Sequence, residues 1–249
     1  MNKKTIKLFT ILTLSTALAS AVFITVQVLL DIILGSEHTV SAIFLEIRTF
    51  VDLLAEYTAY TIVLYCFCRY KLETALKSFI FAGSSFLFAI FCQLGGTVAF
   101  NIASNPSISG SEVIVNSIGS FSSFLSSSII TRVLPCILLA ILAYKITKNK
   151  ATKPQKFISF KNEITRVIAI FTLVIFVINL ASLIIADASY LSTITRTEFF
   201  KQFGSWGNYI LIILPEYLFV TFYYLIYIYC ILFFGYKLCD KLTENDSKN

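Results

Sequence analysis

Apolar residues fill six long stretches of this chain, and the polar gaps between them alternate in character. The stretches run over 8–34, 50–68, 79–103, 129–144, 168–186 and 209–235. A helix needs about 20 residues to cross the ~30 Å hydrocarbon layer of a bilayer, and these runs have that scale. The pattern predicts an all-α, polytopic integral membrane protein. Its six transmembrane helices pair into three hairpins within one transmembrane domain, 1–249, with no soluble domain. Threading the stretches alternately through a membrane sorts the cations. Of the 20 lysines and arginines, all but Arg48, Arg132, Arg196 and Lys201 fall on one side. Positively charged loops stay in the cytoplasm, so both termini are expected there, in a cell membrane.

The outer connections carry a helical period of their own. In the first, Val40, Ile43, Phe44 and Ile47 recur at three- and four-residue steps. In the second, Ile114, Ile118, Phe121 and Leu125 do so behind Ser109 and Glu112, which are spaced as a capping box. In the third, Thr195 and Glu198 repeat that box ahead of Phe199, Phe200, Phe203 and Trp206. The expectation is a short amphipathic helix at the outer interface of each hairpin. The third span carries a stripe of small residues that includes Ala82, Ser85, Ala89, Cys92, Gly96 and Ala99. In lipid, helices are held by close van der Waals contact, and such a stripe lets a neighbouring backbone approach. That reading makes the third helix the interior one.

Composition agrees with membrane as solvent: 57% of residues are hydrophobic and 14% charged, where soluble domains approach a quarter charged. Lys3, Lys4, Lys7 and the Ala19-Ser20-Ala21 triplet resemble a cleavable signal. Apolar character continues to Leu34, however, past the 7–15 residues of a signal core, so a retained span is expected. Cys66, Cys68, Cys92, Cys136 and Cys230 lie within spans and read as small buried apolar residues. The single histidine, His38, leaves no paired-histidine metal site. No catalytic elbow, aspartyl motif or phosphate loop is present, so neither enzymatic activity, a cofactor nor a bound metal is expected. The expected partner is the lipid bilayer, with no nucleic acid. A separate energising or partner subunit would have to supply any ATP-driven step.

Two charges resist relocation to the membrane surface. Between Glu56 and Arg69 lie twelve residues, about 18 Å of helix, and the same count separates Arg132 from Lys145. Both are placed inside the apolar layer at matched depth, where each alone costs ~2.5–3.5 kcal/mol and together they neutralise one another. Asp52 lies one turn from Glu56 and one from Arg48, as an ion-pair partner for that arginine or as a second carboxylate beside Glu56. Glu216, next to Pro215, suits the first turn of the sixth helix at the outer edge. Tyr60, Tyr223, Tyr224 and Tyr227 sit deep enough that their hydroxyls need partners. Gln93 and Asn179 are further polar contributors from the third and fifth spans.

The candidate ligand-binding set is therefore Glu56, Arg132, Asp52, Tyr60, Tyr224 and Glu216. It implies an outward-facing polar cavity among the second, fourth and sixth helices, and a transport or substrate-capture component for a small molecule or ion. The helix count is similar to that of small six-helix substrate-binding subunits of multi-component importers, a likeness too general to define a family. The competing reading is a non-catalytic membrane partner, an immunity, assembly or regulatory subunit whose buried ion pair only sets helix register. That reading predicts no cavity.

Overall fold

The structure is a computed structural model and describes residues 3–35, 39–104, 129–147 and 157–245, with Val115 and Gly119 besides. Among these the chain is all-helical, without strands. Helices α1 (Lys3–Leu34), α2 (Thr39–Arg69), α4 (Ser78–Ser104), α5 (Leu134–Thr147), α6 (Glu163–Thr193) and α8 (Trp206–Asn245) are the long elements. Short α3 (Leu72–Leu76) joins α2 to α4, and short α7 (Arg196–Phe203) joins α6 to α8. A π-helical turn, Ile129–Val133, leads into α5. Six helical segments are long and apolar enough to cross a membrane.

Local signals set several boundaries. Gly35, at φ +89°, closes α1 in a conformation that L side chains rarely adopt. The Asn162 side chain caps α6 by accepting from the Thr165 amide at 3.1 Å. The Thr195/Glu198 capping box starts α7, and Gly204, at φ +73°, ends it. This is the third of the expected outer helices. The second, with Ser109, Glu112, Ile114, Ile118, Phe121 and Leu125, lies outside the described residues.

The first outer helix is not a separate element. Residues 40–51 form the opening turns of α2, which runs unbroken for 31 residues. Its apolar positions have a helical period because they belong to the same helix as the span, and no glycine or proline interrupts them. Pro215 is likewise not at a helix start, because α8 begins at Trp206 and runs through it. The residues before it, Tyr209 to Leu214, form helix of their own, so proline sits inside the helix rather than at its first turn.

The interior helix is α2, not α4. Ten consecutive residues, Ala59 to Cys68, are buried, which requires neighbours on every side. Helices α1 and α4 pack on one flank, α5 and α8 on the other, and α6 closes the second flank by packing on α5 and α8. On α4, Ala82 and Ser85 are buried, Ala89, Cys92 and Gly96 half-buried, and Ala99 exposed. A Cβ added at Gly96 would sit 3.2 Å from Val28 Cγ2, so the small residues there accommodate α1. The stripe reports one close neighbour. The opposite face of α4 stays open, with Phe91 65% exposed.

A closer approach joins α2 to α8. A Cβ added at Gly235 would lie 2.8 Å from Thr61 Cγ2 and 2.9 Å from Thr61 Oγ1. Near one end of the bundle, where Lys3, Arg69, Lys145 and Arg166 lie at or near helix termini, Arg69 pairs with buried Asp240 at 3.4 Å. This is called the basic end below.

Candidate functional site

Four polar side chains follow one another along α2 at four-residue steps: Arg48, Asp52, Glu56 and Tyr60. That spacing keeps them on one face of the helix. Each finds a partner on another element or on the next turn. Arg48 Nε lies 3.4 Å from Asp52 Oδ2, and Arg48 Nη2 donates to Gln93 Oε1 of α4 at 2.9 Å. The Ser20 hydroxyl of α1 donates to Asp52. Glu56 Oε2 lies 3.4 Å from Arg132 Nε, and Glu56 Oε1 accepts from the Tyr60 hydroxyl at 2.8 Å. Two cations face two anions, so the cluster is neutral as a whole.

Arg132 owes its position to the π turn. Proline at 135 has no N–H and offers nothing to the carbonyl four residues earlier, that of Thr131. A widened turn precedes it, as is frequent at functional sites. The Tyr60 hydroxyl reaches into this break, 3.0 Å from the Arg132 carbonyl and 3.4 Å from that of Thr131. Rings hold Tyr60 in place, with Tyr57, Phe86 and Phe171 meeting it edge-on at centroid distances of 5.2, 5.9 and 5.8 Å.

Glu56 stands between two cavities. On the α1–α4 flank a cavity of about 110 Å³ is lined by Ser20, Arg48, Asp52, Glu56, Gln93 and Arg132 among others. On the α5–α8 flank a cavity of about 470 Å³ is lined by Glu56, Tyr57, Tyr60, Asn179, Thr221 and Tyr224, with Leu53, Thr131, Pro135, Ile175, Ile178, Ser182 and Leu183 completing the wall. The larger space is thus bounded by α2, the π turn with α5, α6 and α8.

Of the residues singled out from the sequence, Glu56, Arg132, Asp52 and Tyr60 come together, and Tyr224 lines the larger cavity with Glu56. Glu216 follows Pro215 inside α8, its side chain outside the described ones. Tyr223 is exposed and stacks on Tyr227 at 6.0 Å instead of facing the cavity wall.

Sequence reasoning passed over two acidic residues. Asp187 of α6 accepts from Tyr209 at 3.2 Å and from Tyr217, both on α8. It directly follows the apolar run 168–186, inside a helix that continues to Thr193. Asp240, five residues beyond the last apolar run, is 6% exposed and packed against α2 through Arg69. Among the described residues no three His, Cys, Asp or Glu side chains converge as a metal site. No protein-family model matches this chain, and no curated protein and no solved structure is similar to it.

Proposed function

We propose that this chain is a six-span membrane protein, with both termini cytoplasmic, that captures or transports a small molecule or ion through the cavity beside Glu56. One observation carries the reading: a half-buried, ion-paired carboxylate, that of Glu56, forms the shared wall of two cavities, the larger about 470 Å³. Pockets for small ligands have this size, an apolar lining and a few converging polar groups. An ionisable residue within a membrane span is a functional candidate by default. A pair that only set register would need no space next to it.

The surroundings support the membrane half of the proposal. Large apolar side chains point outward along the long helices, as at Ile33, Ile80 and Leu211, each 70% exposed or more. Lipid is the solvent that tolerates such a surface. The larger cavity begins near Tyr60, nine residues from Arg69, and extends to Leu183, seventeen from Arg166. At 1.5 Å per residue that is roughly 14–26 Å above the basic end, from near mid-bilayer into the outer half. With the basic end cytoplasmic, the cavity lies toward the outside. Energy for net movement would come from an ion gradient or a separate subunit.

Thiol labelling tests this reading. In a cysteine-free background, Ser182→Cys in the cavity wall is expected to react with a membrane-impermeant reagent from outside, and Lys161→Cys only from the cytoplasm. Reaction of both from one side, or an inert Ser182→Cys in folded protein, would refute it.

A further inference from the structure

We infer that the larger cavity takes a compact organic cation, an ammonium group carried on an apolar body. The inference rests on the reading of that cavity as a ligand site and adds the chemical class of the ligand.

The polar stripe holds four charges, yet Arg48, Asp52 and Arg132 line only the smaller cavity, while Glu56 lines both. An occupant of the larger cavity therefore meets a carboxylate, with the compensating guanidinium behind it. The pair is a dipole whose negative end faces the larger space. Among the described residues, no lysine, arginine or histidine lines that cavity. Three of the lining residues, Tyr57, Tyr60 and Tyr224, are aromatic, and ring faces attract cations. An anion there would confront Glu56 with no opposing charge, at the cost that attends any unpaired buried charge.

Size decides between a metal ion and an organic one. A bare inorganic cation would leave the Leu53, Ile175 and Ile178 walls without contact, and unfilled apolar space forfeits dispersion energy. An apolar body fills it, and the ammonium head lies against Glu56. The smaller cavity, about 110 Å³ with two cations and two anions around it, has no net charge preference and is sized for a few waters.

Equilibrium binding to the full chain in nanodiscs tests this with three probes of similar shape: phenyltrimethylammonium, benzyl alcohol and benzoate. The cation is expected to bind at least about tenfold tighter than either of the others. Tyr224→Ala, which removes a ring without touching the ion pair, should weaken cation binding several-fold. Glu56→Gln should abolish the preference. Because that change strands Arg132, the neutral double variant Glu56→Gln/Arg132→Gln repeats the comparison in a balanced site. Benzyl alcohol or benzoate binding as tightly as the cation would overturn the charge class while leaving a ligand cavity. A preference that survives in the double variant would overturn the role of Glu56. Binding of none of the three probes would overturn the inference outright, and the capture reading would then stand or fall on the independent labelling of Ser182→Cys.

Discussion

If Glu56 and Arg132 interact as their geometry indicates, removing both charges should cost less than the sum of removing each alone. The facing atoms are 3.4 Å apart, and the side chains are 17% and 22% exposed. At an effective dielectric of about 20, unit charges at that distance attract by about 5 kcal/mol. This is an upper figure, because both groups retain some solvent screening and a single N–O approach lacks the two-pronged geometry of the strongest pairs. A coupling of about 1–3 kcal/mol is expected. Glutamine is the right replacement at position 56, since its side-chain oxygen still accepts from Tyr60 and the change isolates charge. Arg132 has other contacts, and a double-mutant cycle cancels them as long as they are the same in both backgrounds. Unfolding of the two single variants, the double variant and the parent in one detergent supplies the four free energies. The singles should each lose about 2–3 kcal/mol, because an uncompensated charge is left in the interior, and the double less than their sum. Additivity within ~0.5 kcal/mol would show that the two groups are solvated separately. The reasoning from shared burial would then fail.

Two further predictions follow from contacts elsewhere in the bundle. Gly235→Ala should destabilise by about 1–2 kcal/mol: overpacking against Thr61, pinned by its hydroxyl bond to the Tyr57 carbonyl at 2.7 Å, outweighs the ~1 kcal/mol gain in helix propensity. In a Thr61→Ala background the same change should be neutral or stabilising, and equal effects in both backgrounds would refute the close approach. At α7, hydrogen bonds from the Thr195 amide and hydroxyl hold the exposed Glu198 carboxyl below its ordinary value. A lowered folded-state value means the cap is complete above the ordinary glutamate range near 4.5 and is lost as pH falls through the lowered value. Amide-exchange protection of α7 should fall over that window, and Glu198→Gln should remove the dependence; protection that stays constant on acidification would discard the cap as its cause.

The matched level of Glu56 and Arg132 was legible in the sequence because a count of residues from the flanking cations fixes position along a helix. Their proximity then required only that two helices present the same level to each other. Asp52 and Tyr60 were legible for a related reason, as the turns before and after Glu56 on one face. Ser20 and Thr131 were not. Their part in the site depends on which helices are neighbours and on a carbonyl exposed by Pro135, and neither follows from one-dimensional spacing. Asp187 and Asp240 lie just beyond the apolar runs 168–186 and 209–235, and a run of apolar residues does not show that its helix goes on. Here each charge lies within a helix that continues past it: Asp187 accepts from two tyrosines of α8, and Asp240 lies 3.4 Å from Arg69 of α2.

The identity of the interior helix illustrates a more general inversion. In a soluble protein the most apolar element is the most buried, and a sequence reader looks for it in the core. Among the six apolar helices of this chain the two extremes are reversed: α2 is the least hydropathic and the most buried, whereas α6 is the most hydropathic and the least buried. In the bilayer proposed for this chain, lipid would accept leucine as readily as a protein interior does, so apolarity would carry no instruction to turn inward. Polar groups carry it instead, because in hydrocarbon they must find one another. Arg48, Asp52, Glu56, Tyr60, Thr61 and Tyr65 make α2 the helix with most to satisfy, and four long neighbours surround it. The small-residue stripe of α4 specified where one backbone comes close, while the polar inventory of α2 specified which helix had to be enclosed. The site formed where that enclosure is incomplete, with Glu56 paired to Arg132 and still bordering open space.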